Sequence, residues 1–184
     1  MSTGKAIGLI EYRTVATGIN AADRLLKTAE VSVLAAHPVC PGKYIILVSG
    51  FLSAVQSAIE AAKTEFPEML VDSFVLGNPH ESIFSAIYGA SDVGEVEALG
   101  VIETFSVAST IVAADAAAKT AQVQLIEIRL ARGLAGKSYA MLTGDVAAVT
   151  AAIERAKSEV GPAGMYLDSA IIPRPDPKLW QTIL

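Results

Sequence analysis

The side chains with the most chemical potential lie in one short run, His37-Pro38-Val39-Cys40-Pro41-Gly42-Lys43. Cys40 is the single cysteine, so no intramolecular disulfide can form, and one thiolate alone can hold neither a structural zinc nor an iron-sulfur cluster. A lone cysteine in a monomer is ordinarily a small buried apolar residue or an incidental thiol. N–H groups of the Pro41-Gly42-Lys43 turn would donate to a thiolate or sulfide and stabilise its negative charge. Lys43 would add to that effect or else point into solvent from a strand. His37 is a weaker candidate ligand, because a strand residue three positions away can face elsewhere. The remaining groups form no catalytic pattern. Asp23 and Asp115, like Glu11 and Glu103, recur at matching positions of an internal repeat, which fits a shared structural role. His80 lies in a proline turn, no Gly-x-Ser-x-Gly elbow is present, and no glycine-rich phosphate loop occurs. No enzymatic activity is expected.

The elements that must position Cys40 are written twice. Ala6-Ile7-Gly8-Leu9-Ile10-Glu11 overlays Ala98-Leu99-Gly100-Val101-Ile102-Glu103, and the register continues without a gap to Val31 and Val123 with about half the positions identical. After a two-residue insertion, Gly42-Lys43 meets Gly136-Lys137 and Val55 to Glu65 meets Val149 to Glu159. Asp72-Ser73 is answered by Asp168-Ser169, and a proline-containing turn follows each. A unit of this length exceeds the 20 to 50 residues of solenoid repeats, so it denotes two whole domains, 5–90 and 97–184, with Gly89 to Val96 as linker.

Within one copy the signals run in a fixed order. Ile7 to Tyr12 reads as a short buried strand. Thr14 is a plausible N-cap for a helix carrying Val15, Ile19, Ala22 and Leu26 at helical spacing, with Ser106 before Val107, Ile111, Ala114 and Ala118 in the other copy. Val31 to Ala36 and Tyr44 to Val48 should pair across the Pro41-Gly42 turn. Leu52 to Lys63 follows as a second helix, for whose counterpart Asp145 is the better N-cap, and Leu70 to Leu76 closes the unit. The order βαββαβ is that of the ferredoxin-like split βαβ, an α+β fold with a four-stranded antiparallel sheet and both helices on one face. Such a sheet leaves a face and edges to be covered by duplication or oligomerisation.

Composition narrows the functional classes. Apolar residues form 52% of the chain and charged residues 18%, much of the excess being alanine and valine, which points to an oligomer. A net charge of -5 without a Lys/Arg cluster argues against nucleic acid. No apolar run approaches the roughly 18 residues of a membrane span. Met1 to Lys5 lacks signal-peptide character, and the single cysteine suits a reducing cytoplasm.

Ala6 to Glu11, Leu26-Lys27-Thr28-Ala29, the Gly-Lys before the third strand, Gly144-Asp145-Val146 and Ile172-Pro173-Arg174-Pro175 together resemble the shell domain of bacterial microcompartments over both halves of the chain. Val39-Cys40-Pro41-Gly42-Lys43 with Leu70-Val71-Asp72-Ser73 is similar to the iron-sulfur-carrying tandem type of the propanediol-utilisation microcompartment. The resemblance implies a homotrimer whose six domains form a pseudohexamer with a central pore, tiling with other shell proteins. It implies that the segment between the second and third strands is the pore loop: Val39, Cys40, Pro41 and Gly42 in one copy, Arg132 and Gly133 in the other. Lys27, Lys119 and Arg174 would line the edge between tiles, although a lysine at a helix end is also favoured by the macrodipole. Three Cys40 thiolates would hold one [4Fe-4S] cluster per trimer, labile in air, to pass electrons or replacement clusters across the shell, with a lumenal redox enzyme as partner. A metal-free tile with a metabolite-conducting pore is the alternative, and a ferredoxin-like trimer binding a small regulatory molecule is a third reading.

Overall fold

The computed structural model describes residues 6–94 and 97–183. Met1 to Lys5, read above for a targeting segment, Glu95 and Val96 of the linker, and Leu184 lie outside the described residues. The elements are β1 (Ala6–Tyr12), α1 (Val15–Thr28), β2 (Ser32–Val39), β3 (Lys43–Gly50), α2 (Leu52–Glu65), a 3-10 turn at Pro67–Met69, β4 (Leu70–Leu76) and the short α3 (Ser82–Ile87). The second series is β5 (Ala98–Thr104), α4 (Val107–Thr120), β6 (Gln124–Arg129), β7 (Ser138–Gly144), α5 (Val146–Val160), β8 (Tyr166–Pro173) and α6 (Pro177–Ile183). Each copy thus has the order βαββαβ, with α3 and α6 as additions. The sheets run β2-β3-β1-β4 and β6-β7-β5-β8, all neighbours antiparallel.

The chain forms two compact units. The first runs to Pro79 and takes in Ser106–Ser109 and Ala131–Lys137; the second comprises His80–Phe105, Thr110–Leu130 and the chain from Ser138. Ile83 and Ala86 of α3 are fully buried and α3 packs on β6, which groups this segment with the second unit.

In the first unit Ala6, Ile10 and Tyr12 join Tyr44, Ile46 and Val48 to face Ala21 and Leu25 of α1 and Val55, Ala58, Ile59 and Ala62 of α2. Each fully buried leucine, isoleucine or valine contributes roughly 1.5–3 kcal/mol. Gly8 sets the approach of α2, since a Cβ there would lie 2.6 Å from Val55 Cγ1. The Tyr12 hydroxyl donates to the Ala62 carbonyl at 2.7 Å, and its ring meets Phe66 edge-on. Ile7, Leu9, Ile45 and Leu47, which alternate with the helix-facing residues, are buried as well, so the central strands β1 and β3 are covered on both faces, while β2 is largely exposed.

Helix α1 lies where the periodicity places it, but its sheet-facing stripe is Gly18, Ala21 and Leu25. Val15, Ile19 and Leu26 face outward at 37%, 55% and 47% exposure, whereas Val107 and Ile111 in α4 are fully buried. Thr14 occupies the N-cap without making a side-chain cap bond, its hydroxyl bonding that of Thr17 instead. Ser106 does cap, accepting the Ser109 N–H at 3.0 Å.

In the second unit, Leu99, Ile126 and Met141 cluster with Val93, Tyr139, Ile172 and the α6 residues Trp180 and Ile183. Asp145 caps α5 by accepting the Ala148 N–H at 2.8 Å, while α2 starts at Phe51 with no side-chain cap. Asp145→Ala is therefore expected to lower stability by about 1 kcal/mol, read as a shift in the urea midpoint without a change in slope.

Candidate functional site

Strand β2 ends at Val39, which pairs with Lys43 across the turn Cys40-Pro41-Gly42. The Gly42 N–H donates to the Val39 carbonyl at 2.9 Å, and Gly42 sits at φ 100°, a left-handed conformation that glycine adopts without steric penalty. The Cys40-Pro41 peptide bond is cis. Val39 is buried, Cys40 half-buried, and Pro41 and Gly42 exposed.

The loop Ala131–Lys137, part of the same unit, supplies the groups that touch the cysteine. The Cys40 N–H donates to the Ala131 carbonyl at 3.3 Å, and the Gly133 N–H donates to Cys40 Sγ at 3.4 Å. This corrects the expected donor: the Gly42 N–H turns back to Val39, and the N–H that reaches sulfur belongs to Gly133. No local signal around Cys40 announces it. The loop bends through positive φ at Ala131, Gly133, Ala135 and Gly136, with Arg132 and Gly133 both exposed.

Lys43 is neither in solvent nor free to serve the sulfur. Its side chain is 12% exposed, is paired with the fully buried Glu11 carboxylate, and donates to the Gly136 carbonyl at 2.9 Å. Glu11 Oε2 accepts the Val107 N–H at 2.9 Å. Burial holds the Glu11 carboxyl above its ordinary range, while Lys43 and the Val107 N–H pull it down. One rung across the sheet from Glu11, Asp72 accepts the hydroxyls of Ser106 and of Ser109, the latter at 2.7 Å. Sequence reasoning assigned Glu11 a structural role and did not find Asp72. Their equivalents differ: Glu103 is half-buried, Lys137 exposed and Asp168 exposed.

The other polar residues fall into small local sets. His37 is half-buried with Nδ1 3.3 Å from the Pro38 carbonyl. His80 donates its backbone N–H to Asp115 Oδ1 at 2.7 Å and bonds Ser82 through its ring; since Asp115 holds the backbone and not the ring, the three make no proton relay. Lys27 and Lys119 form ion pairs with Asp23 and Asp115 on their own helices, each at 2.6 Å. Arg174 is exposed at φ 50° and donates its N–H to the Glu97 carbonyl. Among the described residues no group of three or more His, Cys, Asp or Glu side chains converges to hold a metal ion, and no helix is long and apolar enough to cross a membrane. The structure thus gathers Val39, Cys40, Pro41, Gly42 and Gly133 into one loop cluster and leaves Lys27, Lys119 and Arg174 on other surfaces.

Comparison with known proteins bears on this arrangement. The model of the BMC domain matches residues 6–79 and 98–175. The bacterial microcompartment shell protein PduT of Citrobacter freundii is 39% identical over 98% of both chains. The crystal structure of a microcompartment protein from Desulfitobacterium hafniense superimposes with a TM-score of 0.86 at 47% identity, covering 96% of this chain and 98% of the other. The fused permuted hexameric shell protein of the RMM microcompartment shares the fold, with a TM-score of 0.68 at 21% identity over 89% and 87% of the two chains. The chain belongs to the bacterial microcompartment shell-protein family and carries two BMC domains in tandem.

Proposed function

We propose that three copies of this shell protein close into a pseudohexameric tile whose central pore holds a [4Fe-4S] cluster through Cys40 of each chain. Membership of the family makes the chain a structural component of a microcompartment shell, where shell proteins assemble into oligomeric tiles. Two domains per chain, three chains per ring, supply six domains around an axis, and a head-to-tail contact that closes makes a ring instead of a fibre.

The observation that carries the metal reading is the setting of the one cysteine. Cys40 stands on a half-exposed turn, in one copy of the repeat only, with the Gly133 N–H aimed at its sulfur. An N–H donor stabilises a thiolate ligand and raises the potential of a cluster bound to it. One thiolate per chain is too few, but three meeting at a threefold axis match a cubane cluster with one iron left for an outside ligand. When bound, the cluster supplies one-electron chemistry; the chain itself holds the sulfur, orients it and performs no catalysis. The corresponding role is movement of electrons, or of replacement clusters, across the shell.

Protein purified and reconstituted without oxygen is expected to be brown and to contain about four irons and four sulfides per three chains. Cys40→Ser is expected to be colourless while sedimenting with the same mass. Iron content unaffected by the substitution would remove Cys40 from the site, and reconstituted trimers without iron would leave a metal-free tile with an open pore.

A further inference from the structure

The loop Ala131–Lys137 has more donors than its own chain uses. Its φ is positive at Ala131, Gly133 and Ala135 (54°, 75° and 50°) and not at the intervening Arg132 and Leu134. That alternation is the pattern of a nest, in which successive backbone N–H groups turn toward one side and form a concavity for an anion. The Gly133 N–H points at a weak acceptor, Cys40 Sγ at 3.4 Å. Among the described residues, the N–H groups of Arg132 and Leu134 on either side of it donate to no carbonyl. A left-handed conformation is unfavourable for alanine, so the surrounding structure imposes this shape on the loop.

Charge and space favour the same occupant. Arg24, Lys27, Lys63, Lys119, Arg129 and Arg155 are all held in ion pairs. Arg132 and Lys137 are exposed and, among the described residues, pair with no carboxylate. Glu11, the one carboxylate tied to this loop, is taken by Lys43. Two unpaired cations thus flank the thiol in a chain whose net charge is -5. A Cβ built on Gly133 would meet nothing within 4 Å, so the loop is open beside the sulfur.

We propose that Ala131–Lys137 is an oxyanion-binding loop: a carboxylate or phosphate group sits on the N–H groups of Arg132, Gly133 and Leu134, beside Cys40 Sγ, under the charges of Arg132 and Lys137. Arg132 supplies paired planar donors that match either oxyanion, and Lys137 a point charge. Binding needs no metal. The role of the anion does rest on the cluster reading, for which it provides the outside ligand that three thiolates leave wanting.

Cys40, the single thiol, reports on the site directly. Metal-free protein at low ionic strength is alkylated with iodoacetate and, separately, with iodoacetamide. The ratio of the two rates cancels the thiolate content and reads the local potential. It is expected to exceed the ratio for 2-mercaptoethanol by about threefold or more, and to fall toward it in Arg132→Gln and in Lys137→Gln. Lys27→Gln, which removes a charge from the end of α1, should leave it unchanged. Phosphate or acetate, replacing chloride at constant ionic strength, should slow iodoacetamide in the wild type and not in Arg132→Gln, and the anion that protects at lower concentration is the preferred group. A ratio that neither loop substitution lowers, or the absence of protection by both anions, would overturn the proposal. A preference lost with Arg132 in protein that takes up no iron would keep the anion site and overturn the cluster; iron uptake without any preference would do the reverse.

Discussion

Lys43→Met is expected to lower the unfolding free energy by about 3–5 kcal/mol, because it leaves a buried carboxylate without its cation. Glu11 is fully buried and Lys43 only 12% exposed, so solvent does little to screen the pair. The substitution also removes the bond to the Gly136 carbonyl, one of the ties that hold the Ala131–Lys137 loop against Cys40. Faster alkylation of Cys40 should accompany the loss of stability. The pH dependence follows from burial. A carboxyl held above its ordinary value of 4.5 by folding contributes stability that is fully present below that value and lost as pH rises through the folded-state value. Without the ammonium the upward displacement of Glu11 is larger, so the deficit of Lys43→Met grows from acid toward neutral pH in urea titrations. A deficit equal at every pH would show that Glu11 is not the group left stranded. The double variant Glu11→Leu with Lys43→Met should recover most of the loss, short of about 1 kcal/mol for the Val107 N–H that loses its acceptor.

Gly18→Thr should destabilise the first unit by at least about 1–3 kcal/mol, for steric reasons. A Cβ at Gly18 would lie 2.4 Å from the Tyr44 Cβ, and the clash is with the rigid base of the side chain. Tyr44→Ser alone should lose about 3–5 kcal/mol by emptying the space the ring fills. The pair together should lose less than the sum, with a coupling of about 1–3 kcal/mol in a double-mutant cycle. The second copy already carries this exchange: Thr110 and Ser138 stand at the positions of Gly18 and Tyr44, and Thr104 at that of Tyr12. There Thr104 and Thr110 hydroxyls bond each other at 2.6 Å in the buried interior. Strict additivity of the two substitutions would mean that helix and strand adjust independently.

Much of the architecture was legible because it is written twice. The duplication, the element order, the bounds of β4 and the cap at Asp145 follow from local pattern alone. The inward face of α1 did not, for a physical reason. Val15, Ile19, Ala22 and Leu26 form the more apolar stripe, yet the close approach to Tyr44 demands the small residues Gly18 and Ala21 on the sheet side. Helical periodicity detects a stripe and cannot tell which of two stripes meets the sheet. The surroundings of Cys40 were hidden for a different reason: Gly133 and Gly136 lie more than ninety residues away, and nothing in the turn itself encodes which carbonyl or N–H will arrive there. Lys43 looked like a strand residue in solvent because its partner, Glu11, is specified only by the pairing of β1 with β3. Helices α3 and α6 left weak signals, being short and without the spaced apolar stripe of the longer helices.

The exchange at Tyr12, Gly18 and Tyr44 also bears on how the polypeptide finds its own partners while folding. A chain that contains one strand order twice, with about half the residues shared between 6–31 and 98–123, can cross its pairings by joining β1 to β7 and β5 to β3. In the native registers Tyr12 lies opposite Tyr44, and Thr104 lies opposite Ser138. Crossed strands would set Tyr44 against Thr104 above a β-branched Thr110, and would leave Tyr12 facing Ser138 across a gap. One error forces the other, so overcrowding in one half is always accompanied by a void in its twin. Three positions therefore give each half of the molecule its own address, and the repeat can stay similar along its remaining length without its strands being sorted into the wrong sheet.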